Sequence, residues 1–272
     1  MPELPEVETT VRGIVPHICS QRVTQVVVRE PRLRWPIPSD LSERLTGAEI
    51  LSVSRRAKYL CFETSAGAVL AHLGMSGSFR VCDPEAPLKP HDHVVIRLGE
   101  IELRYHDPRR FGCLLWASSD RAQSLCAALG PEPLSEHFHG RYLKTAARGR
   151  ALPVKQFIMT NQIVVGVGNI YACESLFMAG IRPTLSASRV SLPRYQRLVD
   201  AIQTVLSRAI DAGGTTLRDF VNGQGEPGYF QQTLLVYGRD GEPCIQCARL
   251  IEKSVLAGRG TYFCRRCQRL SS

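Results

Sequence analysis

The sequence predicts an α+β multidomain chain: a β-sandwich with a leading α-helix, then a helical domain, then a hairpin pinned by four cysteines. Three observations carry this. Short apolar runs divided by turn residues fill the first half, a long amphipathic stripe occupies the second, and two C-x2-C pairs lie near the end. The boundaries implied are 1–130, 131–232 and 233–272.

The leading helix follows from Leu4, Val7, Val11 and Ile14 at helical spacing, with Gly13 marking its end. Seven β-like runs come next: 22–30, 48–54, 58–63, 68–73, 93–98, 101–106 and 111–116. Turns separate most of them at intervals of roughly 8–12 residues, the rhythm of a sandwich. The polar, proline-broken stretch 82–92 reads as a loop. Pro131 and Pro133 mark a linker, after which the pattern turns helical. Tyr195, Leu198, Val199, Ile202, Val205, Leu206, Ala209 and Ile210 form one apolar stripe; Ser191 suits an N-cap, and Gly213 and Gly214 stop the helix.

Of the 272 residues, 44% are hydrophobic and 22% charged, enough for a full core. No apolar run approaches ~18 residues, so a membrane span is excluded. The start MPELPEVETTVR is acidic and lacks the basic and apolar regions of a signal peptide, so a cytoplasmic location is expected. The net charge of +9 is unevenly placed. Residues 1–132 carry 16 basic and 16 acidic side chains, 133–238 carry 11 and 6, and 239–272 carry 7 and 3. The basic excess of the C-terminal half fits either a polyanion footprint or a merely solvated surface.

Cys244, Cys247, Cys264 and Cys267 have the spacing of a four-thiolate zinc site. Such a site leaves no open coordination position, so the Zn2+ would be structural. Disulfides or a redox pair are the weaker alternatives, given no oxidising compartment and no thioredoxin-like context. The six other cysteines are scattered among apolar neighbours and read as reduced core residues. Arg259, in Ala257-Gly258-Arg259-Gly260, is placed at the hairpin tip, as a phosphate contact or an idle exposed arginine. Asn169 follows two glycines in 164–177 and can cap a helix beginning at Ile170, where N–H groups favour an anion; an ordinary helix corner is the other reading.

Five segments occur together and in order: PELPEVE (2–8), HLGMSGSF (72–79), DPRRFG (107–112), VVGVGNIYACESLF (164–177) and the cysteine module. Across essentially its whole length the chain resembles the bacterial formamidopyrimidine-DNA glycosylases, the bifunctional repair enzymes for oxidised purines. The related endonuclease VIII proteins typically have Gly where this chain has Leu4. The resemblance implies a sandwich, a helix–two-turns–helix domain and a zinc hairpin acting on damaged double-stranded DNA. One active site per chain makes a monomer sufficient. An oxidised-pyrimidine specialist, or a zinc protein that binds nucleic acid without catalysis, are the rival functions.

By that resemblance Pro2, freed of Met1, is the nucleophile and Glu3 the acid, with Glu6 a supporting carboxylate. Without the resemblance, Pro2-Glu3 would read as a plain helix start. Lys58, expected at the start of a strand, would assist catalysis beside a phosphate, and His72 would add a second phosphate contact. Their alternatives are an edge-strand charge and a satisfied structural histidine. Met75, Arg109 and Phe111 would fill the vacancy left by the extruded base, where otherwise a core methionine and a strand phenylalanine would be read. Asn169 and Arg259 would clamp phosphates, with Lys155 a further contact. Thr160-Asn161 departs from relatives that carry an acidic residue there, and 217–230, the expected cover over the everted base, matches loosely.

Overall fold

The computed structural model describes residues 2–214 and 234–270, which fall into two compact units, 2–127 with 210–214 and 128–209 with 234–270. The stretch 217–230 lies outside the described residues.

In the first unit, helix α1 (Leu4–Ile18) buries Leu4, Val7, Val11, Ile14 and Ile18. It passes through Gly13, where the sequence suggested a stop. The apolar stripe continues to Ile14 and Ile18, both fully buried. Each such side chain contributes about 1.5–3 kcal/mol, more than the ~1 kcal/mol a helical glycine costs.

Two four-stranded antiparallel sheets follow. One has the order β1 (Gln25–Val28), β6 (Asp92–Leu98), β7 (Ile101–His106), β5 (Ser78–Cys82). The other has the order β2 (Ile50–Arg56), β3 (Tyr59–Thr64), β4 (Gly67–His72), β8 (Cys113–Trp116). Alternation along the strands sends Val26, Ile96, Phe79 and Tyr105 of the first sheet into one core with Val53, Leu60, Phe62, Val69 and Leu114 of the second. Phe62 and Phe79 meet across the layers with ring centroids 5.3 Å apart. The predicted sandwich is therefore present. Two short helices that the sequence did not suggest, α2 (Leu41–Leu45) and α3 (Asp120–Ala127), flank it.

The topology has one consequence for function. The chain changes sheets between β4 and β5, and changes back between β7 and β8. The corners that do this, 73–77 and 107–112, are the two motif loops HLGMSGSF and DPRRFG.

The second unit holds α4 (Gly140–Ala146), α5 (Val154–Ile158), α6 (Asn169–Met178), a 3-10 turn (Ala187–Arg189) and most of α7 (Leu192–Asp211). All eight stripe residues of α7 are buried, and the helix ends before Gly213 as expected. The hairpin β9 (Glu252–Leu256) and β10 (Arg259–Phe263) belongs to this unit, with Val236, Ile251 and the cysteines packing against Cys173 and Phe177 of α6. Among the described residues no helix is long and apolar enough to cross a membrane.

Candidate active site

Glu3 is the N-cap of α1, and together with Glu6 it forms a capping box with a proline in the first turn. The Glu6 Oε2 accepts from the Glu3 N–H at 2.8 Å. Glu3 and Glu6 are 3% and 2% exposed, and Pro2 is buried beside them. Glu6 thus fixes the Pro2–Glu3 peptide at a helix start. That is a positioning role for the supporting carboxylate.

Lys58 does not begin a strand. It is the second residue of the Ala57–Lys58 turn joining β2 to β3, because Arg56 already pairs with Tyr59. Ala57 adopts φ +56°, which a two-residue hairpin loop demands and which alanine rarely takes. The turn is tied to α1 by Arg55, which donates from Nε to Glu8 Oε2 at 3.0 Å and from Nη1 to the Ala57 carbonyl at 3.0 Å. Sequence reasoning passed over Glu8 and Arg55. The link joins residues 47 positions apart and has no local signature.

His72 pairs with Tyr59 across β3 and β4, their rings 5.0 Å apart. Its Nδ1 accepts from the Gly74 N–H at 2.9 Å. Burial, helped by the Lys58 and Arg34 charges, pushes the imidazole down from 6.5 to about 4. The ring is therefore neutral at physiological pH, with its proton on Nε2 as a hydrogen-bond donor.

The two sheet-crossing corners lie back to back. A Cβ on Gly74 would stand 2.5 Å from the Gly112 nitrogen and from the Phe111 carbonyl carbon, and one on Gly112 would overlap the Tyr105 hydroxyl. Asp107, fully buried, accepts from Gly112 N–H at 2.8 Å, Ser76 Oγ at 3.1 Å and Tyr105 OH at 3.3 Å, so one carboxylate laces both corners. On this base stand three exposed side chains. Met75 is 37% and Phe111 44% exposed, and the Arg109 guanidinium sits 5.0 Å from the Phe111 ring centroid. Both apolar side chains lie outside the core. The Met75 and Phe111 core readings are thereby excluded.

In the second unit the cysteine sulfurs converge as the spacing predicted. All four Sγ atoms lie within 4.8 Å of one another, with Cys244–Cys267 at 3.8 Å and Cys247–Cys264 at 3.5 Å. Tetrahedral zinc with bonds of about 2.3 Å needs sulfurs roughly 3.8 Å apart. The four residues fit one structural zinc ion, which would hold the hairpin's two knuckles together.

Three expectations for this unit change. Helix α6 begins at Asn169 itself with Gly168 as N-cap, so Asn169 does not cap it. Its Nδ2 instead donates to the Gly260 carbonyl at 3.0 Å. Arg259 is exposed but lies one step past the tip. Ala257 and Gly258, at φ +49° and +71°, make the turn, and Arg259 opens β10 opposite Leu256. Lys155 is 1% exposed and turns its ammonium to Gly260 O at 3.1 Å and Thr261 Oγ1 at 2.7 Å. A buried ammonium engaged by the hairpin is not displayed as a phosphate contact. Glu174, unremarked in the sequence, accepts from the N–H groups of Leu235, Val236 and Tyr237 at 2.8–3.0 Å. Burial pushes its carboxyl up while those three bonds pull it down.

Comparison with known proteins decides the family. The N-terminal domain model of formamidopyrimidine-DNA glycosylase matches residues 1–114, its H2TH domain model matches 129–221, and a zinc finger found in FPG and IleRS matches 241–270. The chain belongs to the formamidopyrimidine-DNA glycosylase family. It is 57% identical to the formamidopyrimidine-DNA glycosylase of Xanthomonas oryzae pv. oryzae (strain PXO99A), covering 99% of this chain and 100% of the relative. The MutM (Fpg) protein of Thermus thermophilus is 40% identical, with TM-score 0.87 and 98% of each chain covered. A Lactococcus lactis Fpg mutant in complex with Fapy-dG-containing DNA is 34% identical, with TM-score 0.91, covering 98% of this chain and 100% of the other. Within this glycosylase family member, the residues singled out from sequence sort by unit. Pro2, Glu3, Glu6, Lys58, His72, Met75, Arg109 and Phe111 lie in the first, and Lys155, Asn169, Arg259 and the zinc cysteines in the second.

Proposed function

We propose that this DNA glycosylase excises oxidised purines, 8-oxoguanine and formamidopyrimidines, from duplex DNA through Pro2 and then cleaves the strand as an abasic-site lyase. The observation that carries the reading is the start of α1. Glu6 holds the Glu3 N–H at 2.8 Å, which fixes the residue before it at the head of a helix. Removal of Met1 makes Pro2 a secondary amine at the chain's end. An α-amino group titrates near ~8, so an unprotonated fraction exists at neutral pH.

The Pro2 nitrogen donates its lone pair to C1′ of the extruded nucleotide, the N-glycosidic bond breaks with its electrons leaving on the base, and the proton shed by the Pro2 ammonium neutralises that base. Glu3 gives a proton to the sugar ring oxygen as the ring opens, leaving an iminium between Pro2 and C1′. That cation acidifies the C2′ proton. Its removal expels the 3′ phosphate by β-elimination, and a second elimination expels the 5′ phosphate. Lys58 assists beside the phosphate that His72 Nε2–H also reaches. Met75, Arg109 and Phe111 fill the emptied stack, Arg109 facing the orphaned base. Arg259 and the second N–H of the half-buried Asn169 amide grip the backbone, and zinc keeps the hairpin folded without entering the reaction. The reading makes the enzyme a monomer working on cytoplasmic DNA.

Borohydride trapping on an abasic duplex tests it. The chain with Pro2 at its terminus forms a covalent adduct, and Pro2→Gly or retained Met1 cuts adduct yield by more than about 100-fold. Full trapping by either altered chain would refute the role of Pro2. Equal excision of thymine glycol and 8-oxoguanine would overturn the purine preference.

A further inference from the structure

We propose that Lys155 is a positioning residue for Arg259, acting on DNA only through the hairpin strand it holds. This rests on the reading of Arg259 as a phosphate contact.

A buried ammonium is costly unless its hydrogens are used, and such charge-assisted bonds are about twice as strong as neutral ones. Lys155 Nζ spends two of them on consecutive residues of β10, the Gly260 carbonyl at 3.1 Å and Thr261 Oγ1 at 2.7 Å. The Thr261 hydroxyl, fully buried, passes the contact on by donating to the carbonyl of Arg259 itself at 3.2 Å. Asn169 Nδ2 donates to the same Gly260 carbonyl at 3.0 Å. The two peptide carbonyls that follow the Arg259 Cα are therefore both fixed, one directly and one through Thr261.

Strand geometry says why these carbonyls matter. Residues i and i+2 of a strand face the same side, so Arg259 leaves β10 on the face that Thr261 turns toward Lys155. Thr261 is covered and Arg259 is exposed, which puts the guanidinium at the edge of the covered region. Arg259 also follows directly on the Ala257–Gly258 turn, opposite Leu256, and among the described residues β9 is the strand's sole partner. A two-stranded ribbon is marginal by itself, and its end frays first. Lys155, brought to the site by the five-residue helix α5, supplies the anchor that the ribbon lacks. The anchor joins the Lys155 ammonium to a carbonyl 105 residues away and a hydroxyl 106 residues away.

The test is a double-mutant cycle on the zinc-loaded full chain, with Met1 removed, binding a duplex that carries a tetrahydrofuran abasic analogue. Arg259→Ala weakens binding about tenfold and lowers the salt slope by about one. Lys155→Met, similar in length but without donors, weakens binding by a similar factor in the wild-type chain. In the Arg259→Ala background it changes Kd less than about twofold and leaves the salt slope unchanged. Thr261→Val, which breaks only the relay, weakens binding about threefold in the wild-type chain and likewise has no effect when Arg259 is absent.

If Lys155→Met costs its full factor again in the Arg259→Ala background and lowers the slope by a further unit, it is a direct phosphate ligand and the inference is overturned. If it loses zinc or fails to fold, Thr261→Val decides: binding at the wild-type level then overturns the inference. A different result, Arg259→Ala binding DNA as the wild type does, would instead defeat the reading of Arg259.

Discussion

Replacing Gly74 by alanine should disable the wedge without altering any of its three side chains chemically. Gly74 sits at φ +64° with a Cβ position 2.5 Å from the backbone of Phe111 and Gly112. Gly99, in the β6–β7 turn, has nearly the same φ of +60° but nothing within 4 Å of its Cβ position. The left-handed conformation costs an alanine about 1–2 kcal/mol at either site. At Gly74 alone, backbone must also move aside, which adds about 1–3 kcal/mol. A domain of this size loses roughly 2–4 °C per kcal/mol. Gly99→Ala should therefore lower the Tm by about 4 °C, and Gly74→Ala by about 10 °C. Forcing the two corners apart displaces Met75 from Phe111, so single-turnover excision of 8-oxoguanine should fall about 10- to 100-fold for Gly74→Ala and stay at the wild-type level for Gly99→Ala. Equal Tm values for the two variants, with excision intact in both, would show that the corners do not form one rigid base.

Two further outcomes follow from the same unit. His72 titrates at about 4 in the folded chain against an ordinary 6.5, so between those values the unfolded chain binds a proton that the folded one refuses. Stability should fall as pH drops through that window and level off below it; urea midpoints at pH 7.5 and 4.5 should show a smaller drop in His72→Gln. Phe111→Ala should slow excision of 8-oxoguanine opposite cytosine at least tenfold but cleavage of a preformed abasic site less than threefold, because only the first must displace a stacked base at a cost of a few kcal/mol. Parallel single-turnover rates on the two duplexes would reveal an equal loss, which would remove Phe111 from base extrusion.

Much of the site was legible because its signals are local. Two C-x2-C pairs must form tight turns to use both thiolates. A proline and two glutamates before an apolar helical stripe place a helix start. Short apolar runs divided by turn residues gave seven of the eight sandwich strands, and β5 (Ser78–Cys82) was not among them. The helix stop at Gly13 was misread because a glycine's local cost is visible in sequence, whereas the burial of Ile14 and Ile18 that offsets it is not. The Ala57–Lys58 turn was hidden for a related reason. Only pairing of Arg56 with Tyr59 shows that an alanine is carried at φ +56° by the strands on either side.

The sequence by itself determined which groups are present: a proline and two glutamates at a helix start, four cysteines at zinc-site spacing and a basic C-terminal half. Tertiary structure alone decided what each charge does. Lys155 and Lys58 are the same residue type, yet one is spent inside on a carbonyl and a hydroxyl more than a hundred residues away and the other is carried on a hairpin turn. Likewise Asp107 and Gly74 are meaningful only because two distant sheet crossings meet. Side-chain identity fixes what a group can donate or accept, but the partner that uses it is chosen by chain closure, and closure is a property of the whole fold.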